Sequence, residues 1–170
     1  AIKDSGIVGL GGAGFPTYAK FTTDKKIETL IINGAECEPY ITSDSITMTK
    51  DAEDIVFAIQ TLLKYFQIDK AIIGIENNKP NAISAIKTAI GDNAQISVKV
   101  LPSVYPQGGE KVLIYHTTGK VVPKGKLPID VGCVVINSTT TAFIGKYIKT
   151  GMPLVEKCVT VDGSAVKEPK

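Results

Sequence analysis

Arginine and tryptophan are both absent from this 170-residue sequence, and all nineteen of its basic residues are lysines. Arginine presents the planar, two-pronged donor that proteins most often use for phosphates and nucleic-acid bases. Any anion that this chain binds must therefore be held by backbone N–H groups, hydroxyls or lysine. The lysines are interspersed with seventeen carboxylates, and no basic stripe indicates nucleic-acid binding.

Cysteine and long apolar runs are also scarce. Cys37, Cys133 and Cys158 are far apart and form no C-x-x-C pair, which argues against a structural zinc site or an iron–sulfur cluster carried by these residues. An odd number of unclustered cysteines is typical of a reducing compartment. No apolar run approaches the roughly 18 residues of a membrane span, and no signal peptide is recognisable. We therefore expect no direct membrane insertion.

The length, the hydrophobic fraction of 44% and the net charge of +2 are those of one globular domain with a sizeable core. Short runs rich in Ile and Val predict strands at 29–33, 70–76, 96–101, 133–137 and 154–163. Helical spacing of apolar residues predicts helices at 51–67, 77–91, 108–119 and 139–151. This alternation predicts an α/β fold, a Rossmann-like three-layer sandwich with a mostly parallel sheet and helices on both faces.

The segment GIVGLGGAGFPT, residues 6–17, satisfies G-x-G-x-x-G at Gly9, Gly11 and Gly14. The ordinary dinucleotide motif needs a strand before it and a full helix after it. Here only two apolar residues precede the glycines, and the following residues soon become polar. A surface turn without a ligand is one alternative. We favour a loop whose bare backbone lies against a flat or phosphate-bearing ligand.

Three further segments combine polar side chains with a predicted strand end or helix start. They contain Asn33 with Glu36 and Glu38, then residues 105–111, and then residues 136–141. If residues 36–38 are extended, both carboxylates face the same way. Each segment alone is also compatible with a solvated turn or a helix cap. Because ligands of open α/β sheets bind at the carboxyl ends of strands, the four segments together predict a binding site.

These motifs together resemble the flavin- and nicotinamide-binding domain of the RnfC family, which belongs to Rnf electron-transport complexes. The most specific part is GIVGLGGAGFPT followed by INGAECEPYITSD, and YPQGGEK, LPIDVG and GMPLVEKCVTVDG follow in the family's order. The resemblance covers essentially the whole chain. The flavin-carrying subunit of respiratory complex I is similar, more distantly, with the same order of parts.

The resemblance implies that FMN and NAD(H) are the cofactors, that no metal is bound by these residues, and that the flavin itself carries the chemistry. It places flavin ring and phosphate against the glycine loop, lets Phe15 stack on the dinucleotide, and makes Lys20 and Glu36 candidates for tuning the site. The implied binding residues are Gly9, Gly11, Gly12, Ala13, Gly14, Phe15, Lys20, Asn33, Glu36, Tyr105, Gly108, Glu110, Asn137 and Ser138.

Three departures from the complex I pattern weaken the detailed correspondence. Leu10 stands where that relative has arginine, Ala35 replaces an aspartate, and Ser138 replaces a second asparagine. We therefore expect that FMN affinity could be low in this domain alone. The single histidine, His116, is expected on a helix face and not in the chemistry.

At the level of the whole protein, the resemblance implies an electron-input module, an NADH:acceptor oxidoreductase within an ion-translocating ferredoxin:NAD oxidoreductase complex. Residues 1–160 would form the FMN/NADH-binding domain, and residues 161–170 would begin a linker to a further domain. Two 4Fe-4S clusters are expected in a C-terminal part that this sequence lacks. The partners implied are the other Rnf subunits, NADH and, indirectly, ferredoxin. The location implied is cytoplasmic and peripheral, on the inner face of the cell membrane.

Three other functions remain open at this point. A cobalamin-reducing or proline-reductase-associated relative of RnfC shares the glycine loop and the A-E-C-E-P motif. A non-catalytic docking module would keep the fold without binding flavin, although retention of every glycine argues against it. A dehydrogenase that uses NAD alone would need a catalytic His or a Tyr/Lys set, and the sequence offers neither.

Overall fold

A computed structural model, which describes residues 1–168, shows an open parallel sheet of four strands. The strands are β1 (Thr29–Gly34), β2 (Lys70–Glu76), β3 (Ile96–Leu101) and β4 (Cys133–Asn137), in the spatial order β3-β2-β1-β4. Every pair in this sheet is parallel. The predicted α/β architecture is confirmed, and the sheet is wholly parallel where a mostly parallel one was expected.

Five α-helices connect or flank these strands within residues 1–168. They are α1 (Ser43–Lys50), α2 (Ala52–Phe66), α3 (Pro80–Ile90), α4 (Glu110–Thr118) and α5 (Ser138–Thr150). Two short 3-10 turns, Thr17–Phe21 and Pro128–Val131, precede β1 and β4. Four helices and four strands match their predictions to within a few residues at each end.

The helices cover the two faces of the sheet unequally. Leu30 and Ile32 of β1 join a large apolar core shared with α1, α2, α3 and α5. Ile31, between them in sequence, joins a smaller core with Leu113 and Ile114 of α4. Because successive strand residues point to opposite faces, a strand buried on both sides becomes a continuous apolar run. The run TLII in the sequence therefore has a simple structural cause.

One predicted element is wrong, and one helix was not predicted. The expected strand at 154–163 does not form, since residues 155–162 have no regular structure. Leu154 N donates to Ser5 O, and Thr160 Oγ1 accepts from Thr42 N, so the segment is attached by single hydrogen bonds and not alongside a sheet edge. Helix α1 was not predicted. Its Ser- and Thr-rich sequence has weak helix propensity, and the buried Met48 docks it on the core.

None of the helices in the described part of the chain is long and apolar enough to cross a membrane. The predicted linker, 161–170, shows bends and turns but no helix or strand over its described residues, and its last two residues lie outside them. The boundary at residue 160 stays a prediction.

Candidate functional site

A cavity of about 270 Å³ lies at the carboxyl ends of β1 and β4. Parallel strands bring their carboxyl ends to one edge of the sheet, where the loops that follow them converge. The glycine segment, the loop before α4 and the first turns of α1 and α5 complete the walls. The predicted residues that line it are Gly9, Gly11, Gly12, Ala13, Gly14, Phe15, Lys20, Asn33, Gly108, Glu110 and Asn137.

The glycine segment folds back on itself as a tight loop. Gly9 N donates to Phe15 O at 2.8 Å, and Gly14 N donates to Gly9 O at 3.2 Å. Gly14 has a φ of +63°, a conformation that side chains disfavour. Leu10 N donates to Thr140 Oγ1 at 2.9 Å and so fastens the loop to the start of α5.

One glycine is explained by the protein itself. A Cβ at position 11 would lie 2.8 Å from Asn137 Nδ2, closer than real Cβ atoms approach other heavy atoms. Gly11 thus allows the loop to lie directly on the Asn137 side chain. The sequence predicted bare backbone at this position but not that a side chain of β4 required it.

Lys20 is held at the wall of the cavity by two acceptors. It lies in the Thr17–Phe21 turn, and its Nζ donates to Val135 O at 2.8 Å and pairs with Glu110 Oε1 at 3.1 Å. The Lys20 side chain is 30% exposed and that of Glu110 is 42% exposed, so the pair adds little to stability. What it does is fix the position of a positive charge at the site.

The Asn33 side chain makes more hydrogen bonds within the protein than the sequence suggested. Its Nδ2 donates to Gly108 O at 2.8 Å, and its Oδ1 accepts from Ala35 N at 3.1 Å. A Cβ at Gly108 would lie 2.5 Å from Ala35 O, so the two loops touch through bare backbone. Asn33 thereby holds together two walls of the cavity, and its amide is largely occupied.

Glu36, which was expected to contact the cofactor, is not among the residues that line the cavity. Its Oε1 accepts from Asp44 N at 2.8 Å and its Oε2 from Ser45 N at 3.2 Å, which caps the start of α1. Lys79 Nζ lies 3.3 Å from Oε2. Glu38 lies at a bend in the chain and lines the cavity, whereas Glu36 does not.

Tyr105 and Ser138 also lie outside the lining residues. Tyr105 is 77% exposed in the loop before α4, whereas Ser138 is fully buried in the first turn of α5. His116 is on α4, as expected, and its Nδ1 lies 2.8 Å from Gln107 Oε1.

Several lining residues were not in the implied set of binding residues. They are Thr17, Ala35, Glu38, Asp44, Val135, Ile136 and Thr140. Thr17 and Thr140 stand inside or beside quoted motifs and could have been chosen as hydroxyl donors. Asp44 is the last residue of the quoted motif INGAECEPYITSD, but its place at the cavity follows from the docking of α1, which was not predicted.

Asp44 joins α1 to the start of α5. Its Oδ2 accepts from Asn137 Nδ2 at 2.7 Å, and its Oδ1 accepts from Thr139 Oγ1. Asn137 Oδ1 meanwhile caps α5 by accepting from Thr140 N at 3.0 Å. Burial raises the pKa of the Asp44 carboxyl, against the opposing effect of the hydrogen bonds from Thr139 and Asn137.

A second cavity of about 490 Å³ adjoins the first. Phe15, Lys20 and Glu110 line both cavities, so the ion pair stands between them. The other walls of the second cavity include the apolar side chains of Leu127 and Ile129. Phe15 is half exposed, and its phenyl ring offers a flat apolar surface. The arrangement suits two ligands placed side by side.

Comparison with known proteins identifies the fold and the family. The family model described as the Nuo51 FMN-binding domain matches residues 2–146. The chain is 46% identical, over 99% of its length, to the RnfC subunit of the proton-translocating ferredoxin:NAD(+) oxidoreductase complex of Clostridium ljungdahlii. It is 45% identical, again over 99% of its length, to the RnfC subunit of the Na(+)-translocating complex of Acetobacterium woodii. The resemblance to RnfC is confirmed.

The chain spans 37% and 39% of the lengths of those two relatives. A crystal structure of an NAD+-reducing [NiFe]-hydrogenase in the air-oxidised state aligns with a TM-score of 0.74, over 88% of this chain and 30% of that one. At 23% identity this likeness shows a shared fold. Since the family model covers most of the sequence, the chain belongs to the Nuo51 FMN-binding domain family.

Proposed function

We propose that this chain is the FMN- and NAD(H)-binding domain of an RnfC-type subunit, where electrons pass between the nicotinamide nucleotide and the flavin. The observation that carries the proposal is the cavity at the ends of β1 and β4. It gathers the glycine segment, Lys20, the loop before α4 and Asn137 from distant parts of the chain. The family membership supports FMN as the ligand.

The residues present fit a flavin nucleotide. Thr17 Oγ1 and Ser138 Oγ are buried without a hydrogen-bond partner, and Thr17 lines the cavity. A buried hydroxyl without a partner is costly, so a polar ligand would satisfy Thr17. The glycine segment offers backbone N–H groups in place of the missing arginines. A flat ring system can approach this segment closely because it has few side chains.

Different groups of the chain would bind different parts of the two ligands. The first turn of α5 and the glycine loop would hold the anionic end of the cofactor, since helix N-termini favour anions. Lys20 would offset negative charge near the ring. Phe15, at the junction of the two cavities, would provide a stacking surface for the nicotinamide nucleotide. Bound FMN would supply the hydride and single-electron chemistry, and the protein would orient the two ligands.

The wider assembly follows from the names of the relatives. Both are named as subunits of ion-translocating ferredoxin:NAD(+) oxidoreductase complexes, which favours this function over a cobalamin-reducing or proline-reductase-associated one. We propose that the chain works beside other subunits of such a complex, peripherally at the inner face of the membrane. Electrons would leave or arrive through 4Fe-4S clusters outside this sequence and would exchange indirectly with ferredoxin.

The first experiment is a titration of the purified chain with FMN, followed by quenching of flavin fluorescence. Addition of NADH under anaerobic conditions should then bleach the bound flavin. Quenching without bleaching would remove the nicotinamide part of the proposal. A chain that is folded by circular dichroism but does not quench FMN would contradict the proposal and favour the non-catalytic docking module.

A further inference from the structure

The carboxylates that line the first cavity outnumber its cations. Glu38, Asp44 and Glu110 contribute three carboxylates among the described residues that line it, and Lys20 contributes one ammonium group. That ammonium group already pairs with Glu110. The phosphate of FMN would therefore enter a site with excess negative charge, and like charges at close range repel more strongly where water is excluded.

Of the three carboxylates, Asp44 is the one at the end of the cavity that is proposed to hold the phosphate. It contacts Asn137 and Thr139 at the start of α5, where the free N–H groups of the helix would receive a phosphate. None of the ion pairs found in residues 1–168 includes Asp44.

The charged groups around Asp44 leave its carboxylate without a compensating cation. Glu38, in the loop after β1, adds a like charge. Glu36 accepts from the Asp44 backbone N–H and is itself paired with Lys79 at the start of α3. The α5 residues that contact the Asp44 carboxylate, Asn137 and Thr139, carry no charge. Lys146, further along α5, is paired with Asp51, the residue before α2.

The hydrogen bonds around Asp44 can accommodate a proton without moving a side chain. Thr139 Oγ1 lies within hydrogen-bond distance of Asp44 Oδ1 and 3.2 Å from Thr47 Oγ1. Thr47 Oγ1 in turn donates to Ser43 O at 2.9 Å. A hydroxyl both donates and accepts, so protonated Oδ1 could donate to Thr139, which would then donate to Thr47.

We propose that Asp44 takes up a proton from solvent when the phosphate of FMN binds beside it, and that it is a positioning residue for Asn137 and the first turn of α5. This inference rests on the proposed FMN-binding function. The direction of the Asp44 pKa in the free chain agrees with it, since burial already favours the neutral form. An approaching phosphate would favour it further.

The test measures protons as well as affinity. FMN is titrated calorimetrically into the full chain at pH 7 in two buffers of different ionisation heat, and the difference gives the protons taken up. We compare the chain with Asp44→Asn and with the control Asp54→Asn, whose carboxylate pairs with Lys149 outside the cavity. Riboflavin, which lacks the phosphate, is titrated in parallel.

The expected result is that the chain and Asp54→Asn take up roughly half a proton more per FMN than Asp44→Asn does. Between pH 6 and 8 the FMN affinity of the chain should also fall about tenfold relative to Asp44→Asn. The titration of the phosphate itself cancels in this comparison. Riboflavin should show no difference between the variants.

Three results would overturn either this inference alone or the proposed function as well. Equal proton uptake by the chain and Asp44→Asn would overturn the inference and leave FMN binding intact. No proton uptake by the chain itself would do the same, even if Asp44→Asn and a second variant, Asp44→Ser, failed to fold. Absence of FMN binding by the folded chain would overturn the proposed function, and this inference with it.

Discussion

Lys20 shows how much of the site's electrostatics depends on a single side chain. Within the described part of the chain it is the one cation that lines the first cavity, and it also lines the second. Val135 O and Glu110 hold its Nζ between the two. Its position is therefore set before any ligand arrives.

Replacement Lys20→Ala should weaken FMN binding by roughly tenfold, because charged hydrogen-bond donors contribute about 1.5–3 kcal/mol where they are well placed. Fluorescence quenching gives the dissociation constant. The control is Lys25→Ala, which removes a lysine paired with Asp130 outside the cavity. Equal FMN affinity in Lys20→Ala and the unmodified chain would contradict a role for Lys20 at the flavin.

The Thr17 hydroxyl has no hydrogen-bond partner among the described atoms of the protein, and a bound ligand would supply one. The residue is 2% exposed. Replacement Thr17→Val removes the hydroxyl and keeps the shape, so FMN affinity should fall several-fold while stability stays equal or rises. The control Thr61→Val changes a threonine of α2 that bonds to Phe57 O. FMN affinity and urea unfolding are measured in parallel for both variants. If Thr17→Val lost stability but kept its FMN affinity, the role of Thr17 would be purely structural.

At the scale of elements, Glu36 connects three of them. It follows β1, caps the first turn of α1 and pairs with Lys79 just before α3. This explains why a carboxylate predicted for the cofactor is 4% exposed and is not among the residues that line the cavity.

Replacement Glu36→Gln should lower the unfolding free energy by about 3 kcal/mol, since it leaves Lys79 without its buried partner. Urea unfolding measures this change. Glu38→Gln, two residues on, is the matched control and should alter stability by no more than about 0.5 kcal/mol. A weakened FMN affinity without any loss of stability would restore the direct cofactor role for Glu36.

Helices α2 and α5 approach each other so closely that a methyl group does not fit between them. A Cβ on Gly145 would collide with the carbonyl oxygen of Asp54. Gly145→Ala should therefore cost about 1–3 kcal/mol of stability through overpacking, although alanine favours helices more than glycine does. The control Ile148→Ala trims a side chain on the same helix that is 37% exposed. A stabilised Gly145→Ala variant would show that the helices can separate at little cost.

The elements themselves were largely predictable, and the reasons are physical. Strands such as β2 are continuous apolar runs, and α2 repeats its apolar residues at helical spacing, so both signals are local. Helix α1 escaped prediction because its stability comes from tertiary contacts of Met48 and from the Glu36 cap. The segment 154–163 alternates like a strand, but no partner strand accepts it.

The site was predictable in location and residue type, but not in the role of each residue. Strand-end positions such as Asn33 and Asn137 are visible in the sequence. Which of their hydrogen bonds the protein itself uses is not, because Gly108 and Asp44 come from distant segments. Asp44 stands in the quoted motif INGAECEPYITSD, but its contacts with Asn137 and Thr139 depend on how α1 docks.

For the whole molecule, buried acids make stability depend on pH. Glu76, at the end of β2, is 1% exposed, and its Oε2 has no partner among the described atoms. Burial raises the pKa of Glu76, while nearby Lys79 opposes the shift. The folded chain therefore holds this proton more tightly than the unfolded chain does. Its contribution to stability declines as the pH rises above the ordinary value of 4.5.

Glu76→Gln should flatten that decline and raise the unfolding free energy at pH 7.5 by about 1 kcal/mol, because the neutral amide avoids the cost of burying a charged carboxylate. Urea unfolding at pH 4.5 and 7.5 gives the comparison. Glu53→Gln, in the exposed part of α2's first turn, serves as the control. A pH dependence identical to that of the unmodified chain would show that Glu76 is not its source.

The register of the sheet also bears on when a cofactor can enter. Asn33 of β1 is aligned with Asn137 of β4, so two walls of the cavity come from opposite ends of the domain. A ribosome delivers β1 well before β4 and α5. While it does so, the central strand has an open side, and no cavity exists for a ligand to occupy. Flavin can therefore bind in this cavity only after β4 has joined the sheet and α5 has packed against it.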